Sequence, residues 1–560
     1  MVTACTMWVL MWMLFTRASA RATSEALFSP TSFHSVNLEI DPRALSDMQA
    51  DPVGTRSTYG DVSLKKTHVA CNLTIGFGTP EAKVFLNVDC SYEGHGTLLG
   101  CVDPETGALS ERRPPHYPRN VSSYHDFGCR RVGWEVAVGA SADSLIYGME
   151  RLRFHGMTWG DASLMRERLA HQTLHDLGML ISRVAGALLH VNGVEYGIFN
   201  LVEVIDEPFL KSRGLQGTLM WEAWMAYTDA RSYDDKIVVG PRVSGAAQPL
   251  VDLRLAAEAC LRNGCDEASA RTIVQNYTVE HTWLDALFGL CVFYNFDGFV
   301  SFWVDVGPHN FGIFIDSRTP NQLTMIPWDY SEALRVVPQF EDSGWERQLF
   351  GGAQPLGLYG IGASFNPPWF YLPTQAERQT LCNVRNPAGV THFTCDPVGH
   401  VMTIAWRRVF FDYIRKYLRT DMSAIPPVSV LQQANRYASL WSGQYRPSVE
   451  RQSSAGGLPK LEDFNRGPVI ALQMLASGLT ELSTQSATPF GGVTGWTDSF
   501  LKATRTVSMA VGTATFPNET FEFGLAAVVL AFTAGAVLSH LATRFFSSGP
   551  RPLKDSLLYS

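Results

Sequence analysis

The stretch HNFGIFIDSRTPNQLTMIPWDYSEAL, from His309 to Leu334, reads as two apolar strands joined by a polar turn. Strands this apolar belong in a core. One carboxylate, Asp329, closes the second strand behind Pro327 and Trp328, and Asn310 enters the first. A charged group at the end of a buried strand needs a partner, so this hairpin marks where chemistry is expected.

A chain of 560 residues exceeds what a single core organises, so more than one unit, or one large elaborated unit, is expected. Charged residues are 18% and aromatic residues 11% of the chain, which is not a disordered composition. A formal charge of -8 without a basic run argues against a nucleic-acid partner.

Both termini carry apolar segments. Residues 1–20 hold an apolar run from Met7 to Phe15 followed by Ala18-Ser19-Ala20, the pattern of a signal peptide cut after Ala20. Residues 523–542 contain no charge and suffice to cross a bilayer as one helix. Arg544, Arg551 and Lys554 follow this segment, so residues 543–560 are expected in the cytosol and the body in the lumen or outside. Such a chain is a single-pass type I protein of the secretory pathway (ER or Golgi lumen) or cell surface.

Nine cysteines remain after the signal peptide. Cys291 lies in the apolar stretch LDALFGLCVFYNF and is expected as a buried thiol, which leaves eight for disulfides. Close spacing pairs Cys260 with Cys265 and Cys382 with Cys395, while Cys71, Cys90, Cys101 and Cys129 stay unassigned. Sequons at Asn72, Asn120, Asn276 and Asn518 fit a glycoprotein.

From Phe33 to about Arg131, short alternating runs predict an antiparallel β lobe. GDASLMRERLAHQTLHDLG predicts a helix ended by Gly178, and GALLHVNGVEYGIFNLVEVID a hairpin turning at Asn192-Gly193. Thr278 to Phe296 reads as a long apolar helix leading into NFDGF, and amphipathic helices dominate from Met402 to Ala438. Residues 451–522, rich in Ser, Gly and Thr, read as a stalk.

With the helix and the hairpin adjacent, Asp297 comes to the cleft that Asn310 and Asp329 reach. Two Asp and one Asn form an oxygen-only ligand set suited to Mg²⁺ or Mn²⁺ on phosphates. Each residue has a plainer reading: Asp297 before Gly298 makes an Asx turn, Asp329 caps a helix, and Asn310 starts a strand. His171 and His175, one helical turn apart, read as packing or surface residues.

VNGVEYGIFNLVEVIDEPFL, FYNFDGF, HNFGIFID and MIPWDYSEAL, in that order, resemble the CotH kinase family of spore coat CotH-like atypical protein kinases. The resemblance extends from Phe33 to about residue 440 and implies an α+β, two-lobed atypical protein kinase-like fold over residues 33–450, with an N-terminal antiparallel β lobe and a helical C-terminal lobe. It implies ATP and Mg²⁺ or Mn²⁺ as cofactors, Asp297 as catalytic base, Asn310 and Asp329 as metal ligands, and Glu203 near the nucleotide cleft. Asp305, five residues before Asn310, is a rival to Asp297. Where relatives carry an Arg-Gly-x-Ser loop, this chain offers CSYEGHGTLLG at residues 90–100, whose Glu93 would repel phosphate. The nucleotide-contacting Lys is replaced by Arg151 or Arg153, and a later Lys by Trp221. The expected partner is a protein substrate for phosphoryl transfer to Ser or Thr. A catalytically silent surface adhesion or scaffold protein, or transfer of AMP, is the alternative.

Overall fold

The computed structural model describes residues 24–334, 390–413 and 427–479 apart from gaps; residues 54–65, 111–128, 139–144, 157–160, Asp297, residues 304–307 and several single positions are among those outside the description. The described residues belong to one unit, Met1–Gly492; the second unit, Val493–Ser560, lies outside them. So do residues 1–20, expected as a signal peptide, residues 523–542, expected as a membrane span, and residues 543–560. No helix among the described residues is long and apolar enough to cross a membrane.

The first half of the described chain runs β1 (Phe33–Ile40), α1 (Pro42–Ala50), β2 (Val69–Ile75), β3 (Lys83–Glu93), β4 (Gly133–Ala137), β5 (Arg151–His155), α2 (Arg166–Asp176), β6 (Val184–Val191) and β7 (Val194–Glu203). Its seven strands close into a barrel in the order β1-β2-β3-β4-β5-β7-β6. Alternating residues fill it, among them Leu38, Leu73, Trp134, Phe154, Leu189 and Leu201, each fully buried.

The barrel closes through a parallel pairing of β1 with β6, from Phe33 opposite Gly186 to Leu38 opposite Val191. The β6–β7 turn fixes that register. Asn192 and Gly193 both adopt positive φ, 52° and 76°, as a two-residue hairpin turn requires. The turn is also tied to β1: Ile40 N donates to Asn192 Oδ1 at 2.7 Å, and Gly193 N donates to Asn37 Oδ1 at 2.9 Å.

This corrects the expected boundary of the β lobe near Arg131. The sheet continues to Glu203 and is not wholly antiparallel, because the β6–β7 hairpin pairs with β1 and β5 and so belongs to the same barrel. Two disulfides, Cys71–Cys90 and Cys101–Cys129, staple it and resolve the pairing left open by the sequence. Cys260–Cys265 forms as expected, and Cys291 is buried and carries no disulfide. Cys395 is disulfide-bonded, while Cys382 lies outside the described residues.

After the barrel come α3 (Glu207–Ser212), β8 (Gly217–Trp221), β9 (Ile237–Val239), α4 (Gln248–Arg262), α5 (Glu267–Tyr277), α6 (Glu280–Val292), β10 (Phe302–Trp303), β11 (Phe311–Asp316), β12 (Leu323–Pro327), β13 (Val390–Thr391), α7 (Pro397–Trp406) and α8 (Pro427–Ser454). The β11–β12 hairpin is the one predicted, and it joins an antiparallel sheet in the order β12-β11-β8-β9. Every residue of both strands is buried. Helix α6, buried continuously from Thr282 to Val292, covers β12: Trp283 Nε1 donates to Leu323 O at 2.8 Å, and Met325 N donates to Thr282 Oγ1 at 3.1 Å.

Helix α8 holds the barrel to the chain's start. Arg168 on α2 donates to Tyr445 Oη at 2.8 Å, to Ser32 O at 2.7 Å and to Pro30 O at 3.1 Å, and its guanidinium lies 4.1 Å from the centre of the Trp441 ring. Helix α8 reaches Ser454 and Phe464 is buried, so the folded unit continues past the expected boundary at residue 450.

Candidate active site

Strand β5, sequence RLRFH, places Leu152 and Phe154 in the barrel core and Arg151, Arg153 and His155 on the opposite face. Three cationic positions thus share one face of one strand. The neighbouring strands supply polar partners by register: Glu135 lies directly opposite Arg153, and Asn200 opposite His155. Arg153 Nε meets Glu135 Oε2 at 2.7 Å and Glu93 Oε1 at 3.4 Å.

Helix α2 brings the matching acid. Asp161 anchors its start, accepting from Arg166 N at 2.8 Å and from Ser163 N at 3.0 Å. Glu167, in the first turn, points its fully buried carboxylate at β5, where the positive end of the helix dipole favours it. His155 Nδ1 and Glu167 Oε1 are 2.7 Å apart, and Asn200 Nδ2 donates to Glu167 Oε2 at 2.9 Å. Burial opposes a charge on His155, but Glu167, Asp329 and Glu93 outweigh it and raise its pKa to about 9. Burial likewise opposes the Glu167 carboxylate, and His155 overcomes it and lowers the pKa.

Asp329 closes the group. Chain direction changes abruptly there: Asp329 has φ 49° and Asn310 φ 62°, both left-handed conformations uncommon outside Gly. Phe311 pairs with Pro327, and Trp328 N donates to Asn310 O at 3.1 Å, so Asn310 and Asp329 stand at the same open end of the hairpin. Ser331 N donates to Asp329 Oδ1 at 3.1 Å, so this side chain closes a local turn. One ligand atom each from His155, Glu167 and Asp329 lies within 4.8 Å of the other two. The donor set of two carboxylates and one imidazole fits a divalent cation.

The other residues expected at the site are spread along the barrel rim or lie beyond view. Asp297 and its rival Asp305 lie outside the described residues. Glu203, the last residue of β7, is buried between two arginines: Arg183 Nη2 reaches Oε1 at 2.6 Å and Arg213 Nη2 reaches Oε2 at 2.8 Å. Burial works against its charge, but both guanidiniums overcome it and lower the pKa to about 2. Its oxygens are occupied by protein donors. Arg151 Nε lies 3.6 Å from Asp206 Oδ2, and burial raises the pKa of Asp206 to about 7 against the pull of Arg151.

Trp221, which the resemblance sets in place of a Lys, receives both Arg151 and Arg153, each guanidinium 5.0 Å from its ring centre. Glu93 is clamped by Lys66 and Arg153, which override burial and lower its pKa to about 2. Its repulsion toward a phosphate is therefore already neutralised.

Reasoning from the sequence missed His155 and Glu167. A signal existed: His155-Gly156-Met157-Thr158 has the Gly and hydroxyl spacing of Arg-Gly-x-Ser, with His for Arg and Thr for Ser. Gly156 is required there, since a Cβ would lie 1.6 Å from Arg131 O.

A β-strand cation paired with a helix carboxylate beside a hairpin-end Asp resembles, with His for Lys, the Lys–Glu pair and metal-binding Asp of protein kinases. Residues 129–356 match the family model described as CotH kinase protein, so this segment of the chain is CotH kinase-like. The match begins just before β4 and takes in β5, α2 and the β11–β12 hairpin; it is shorter than the resemblance drawn from Phe33 to about residue 440. A kinase family implies ATP and a divalent metal in general terms. No curated protein matches the chain.

Proposed function

We propose that this protein transfers the γ-phosphoryl group of ATP to Ser or Thr hydroxyls of luminal or extracellular proteins. The observation that carries the reading is the His155–Glu167 ion pair beside Asp329, since protein kinases need a strand-cation–helix-Glu pair next to a metal-holding Asp. In this reading Asp297 takes the proton of the acceptor hydroxyl as its oxygen bonds to the γ-phosphorus. The bond from that phosphorus to the β,γ-bridging oxygen breaks, and ADP leaves. Asn310 and Asp329 would hold Mg²⁺ or Mn²⁺, whose charge would offset that of the phosphates. Arg151 and Arg153 face the nucleotide, stacked on Trp221, and Glu203 fixes the chain where the barrel passes into α3.

The same reading makes the chain a single-pass type I protein of a two-lobed kinase-like fold, its body in the secretory lumen or at the cell surface. Disulfides at Cys71–Cys90, Cys101–Cys129 and Cys260–Cys265 support an oxidising compartment.

A second reading, a catalytically silent surface protein that binds a partner protein, is favoured by one observation. Arg151, Arg153 and Lys66 are already engaged by Asp206, Glu135 and Glu93, so a nucleotide must compete for them. Incorporation of label from γ-labelled ATP into an acceptor protein, compared between the native chain, Asp297→Ala and Asp329→Ala, decides between the readings. Label lost in both variants supports the kinase. No label, and no thermal stabilisation by ATP with metal, leaves the partner-binding role. Label transferred from α-labelled ATP instead would mean AMP transfer.

A further inference from the structure

We infer that His155, Glu167 and Asp329 form a binding site for one transition-metal dication of the Mn²⁺ or Zn²⁺ class. The donor set selects the ion: an imidazole nitrogen suits Mn²⁺ or Zn²⁺, whereas Mg²⁺ prefers oxygen ligands and retains its waters. Two carboxylates balance the dication's charge, which matters where the Glu167 side chain is wholly excluded from solvent.

The geometry agrees. Two ligands each about 2.1 Å from an ion sit roughly 3 to 3.4 Å apart. His155 Nδ1 and Glu167 Oε1 are 2.7 Å apart, and the three ligand atoms lie within 4.8 Å of one another, so an ion enters with side-chain shifts and no change of fold. The support around the ligands is in place: Asn200 fixes the outer oxygen of Glu167 and leaves Oε1 for the ion.

A fourth residue, outside the trio, points the same way. His171, one helical turn beyond Glu167 and so on the same face of α2, is fully buried. Its Nδ1 is held by Ser182 O at 2.8 Å, which makes Nδ1 the donor and leaves Nε2 with a lone pair. Among the described residues that Nε2 has no hydrogen-bond partner. Buried polar atoms rarely stay unpaired, and His171 lies within electrostatic reach of Glu167, Asp329 and His155. A water carried by the bound ion supplies the missing donor.

The inference deepens the proposed function and rests on it in one respect: the ion would put a fixed positive charge at the strand–helix pair beside the proposed nucleotide site. Binding itself does not require phosphoryl transfer.

The test is electron paramagnetic resonance of Mn²⁺ titrated into the metal-stripped full-length chain without nucleotide. The expected result is one Mn²⁺ per chain showing nitrogen hyperfine coupling, displaced by Zn²⁺ and retained in an excess of Mg²⁺. His155→Lys keeps a cation for Glu167 and removes the ligand; it should abolish the coupling and weaken binding at least about tenfold. Bound Mn²⁺ without nitrogen coupling in the native chain, coupling that persists in His155→Lys, or absence of stoichiometric binding would overturn the site. The native spectrum decides even if the variant does not fold. Nitrogen-coupled binding without transfer of γ-label keeps this site and removes the kinase reading; transfer in Mg²⁺ by a chain with no nitrogen-coupled ion does the reverse.

Discussion

His155 Nδ1 lies 2.7 Å from Glu167 Oε1, which joins the last residue of a barrel strand to the first turn of the helix that follows it. Eleven residues separate them in sequence, and the pair lies on the face of β5 opposite the barrel core, where Asp329 meets it.

Replacing His155 by Ala should therefore strand a buried carboxylate. The expected loss is about 3 to 5 kcal/mol, the range for breaking a buried ion pair from one side. His155→Lys should recover most of it. Urea denaturation of the three proteins checks this, and equal midpoints for the native and Ala chains would refute the pair's structural role.

Glu203 makes stability sensitive to acid. Its folded pKa of about 2 lies below the ordinary value of 4.5, so its contribution is present above pH 4.5 and is lost as pH falls toward 2. Glu203→Gln should remove this part of the acid slope and leave Arg183 and Arg213 without their shared counter-charge. Midpoints measured between pH 5 and pH 2 in both proteins, on the order of one unit apart, report the difference.

Asp206 works in the opposite sense. Its folded pKa of about 7 lies above 3.8, so its contribution is present below pH 3.8 and fades as pH rises through 7. Asp206→Asn keeps an oxygen to cap α3, where Phe209 N donates to it at 3.4 Å, and should flatten the decline between pH 4 and pH 7. Thermal midpoints across that range provide the measurement, and an unchanged slope in the Asn variant would count against the assignment.

Gly156→Ala should be among the most damaging single-methyl changes in the barrel. The added carbon would fall 1.6 Å from Arg131 O, so backbone must move, at about 3 kcal/mol or more. Soluble yield and thermal midpoint test this against Gly178→Ala, where no atom lies within 4 Å of the added carbon and the cost is confined to a positive φ of 82°.

Local structure was the legible part of the fold. The β11–β12 hairpin, the Asn192-Gly193 turn and the end of α2 at Gly178 each follow from a few adjacent residues. Barrel closure was not legible, because β1 meets β6 roughly 150 residues later and parallel pairing leaves no turn to read. At the site, Asp329 and Asn310 stood out as polar residues on apolar strands. His155 did not: beside two arginines on a strand with alternating polarity it looked like another solvated cation, and only register brings Asn200 and Glu167 to it.

Arg168 has a consequence for how the chain is made. Its guanidinium, buried on α2, depends on carbonyls at Pro30 and Ser32 and on Tyr445, 277 residues further on. At translation rates of about 5 to 20 residues per second, Tyr445 follows Arg168 from the ribosome after roughly 14 to 55 s. During that interval the guanidinium has its two carbonyl acceptors but lacks the Tyr445 hydroxyl and the Trp441 ring that complete its surroundings. Nascent chains halted before Trp441 should be cut by protease near α2, and chains released after α8 should resist it.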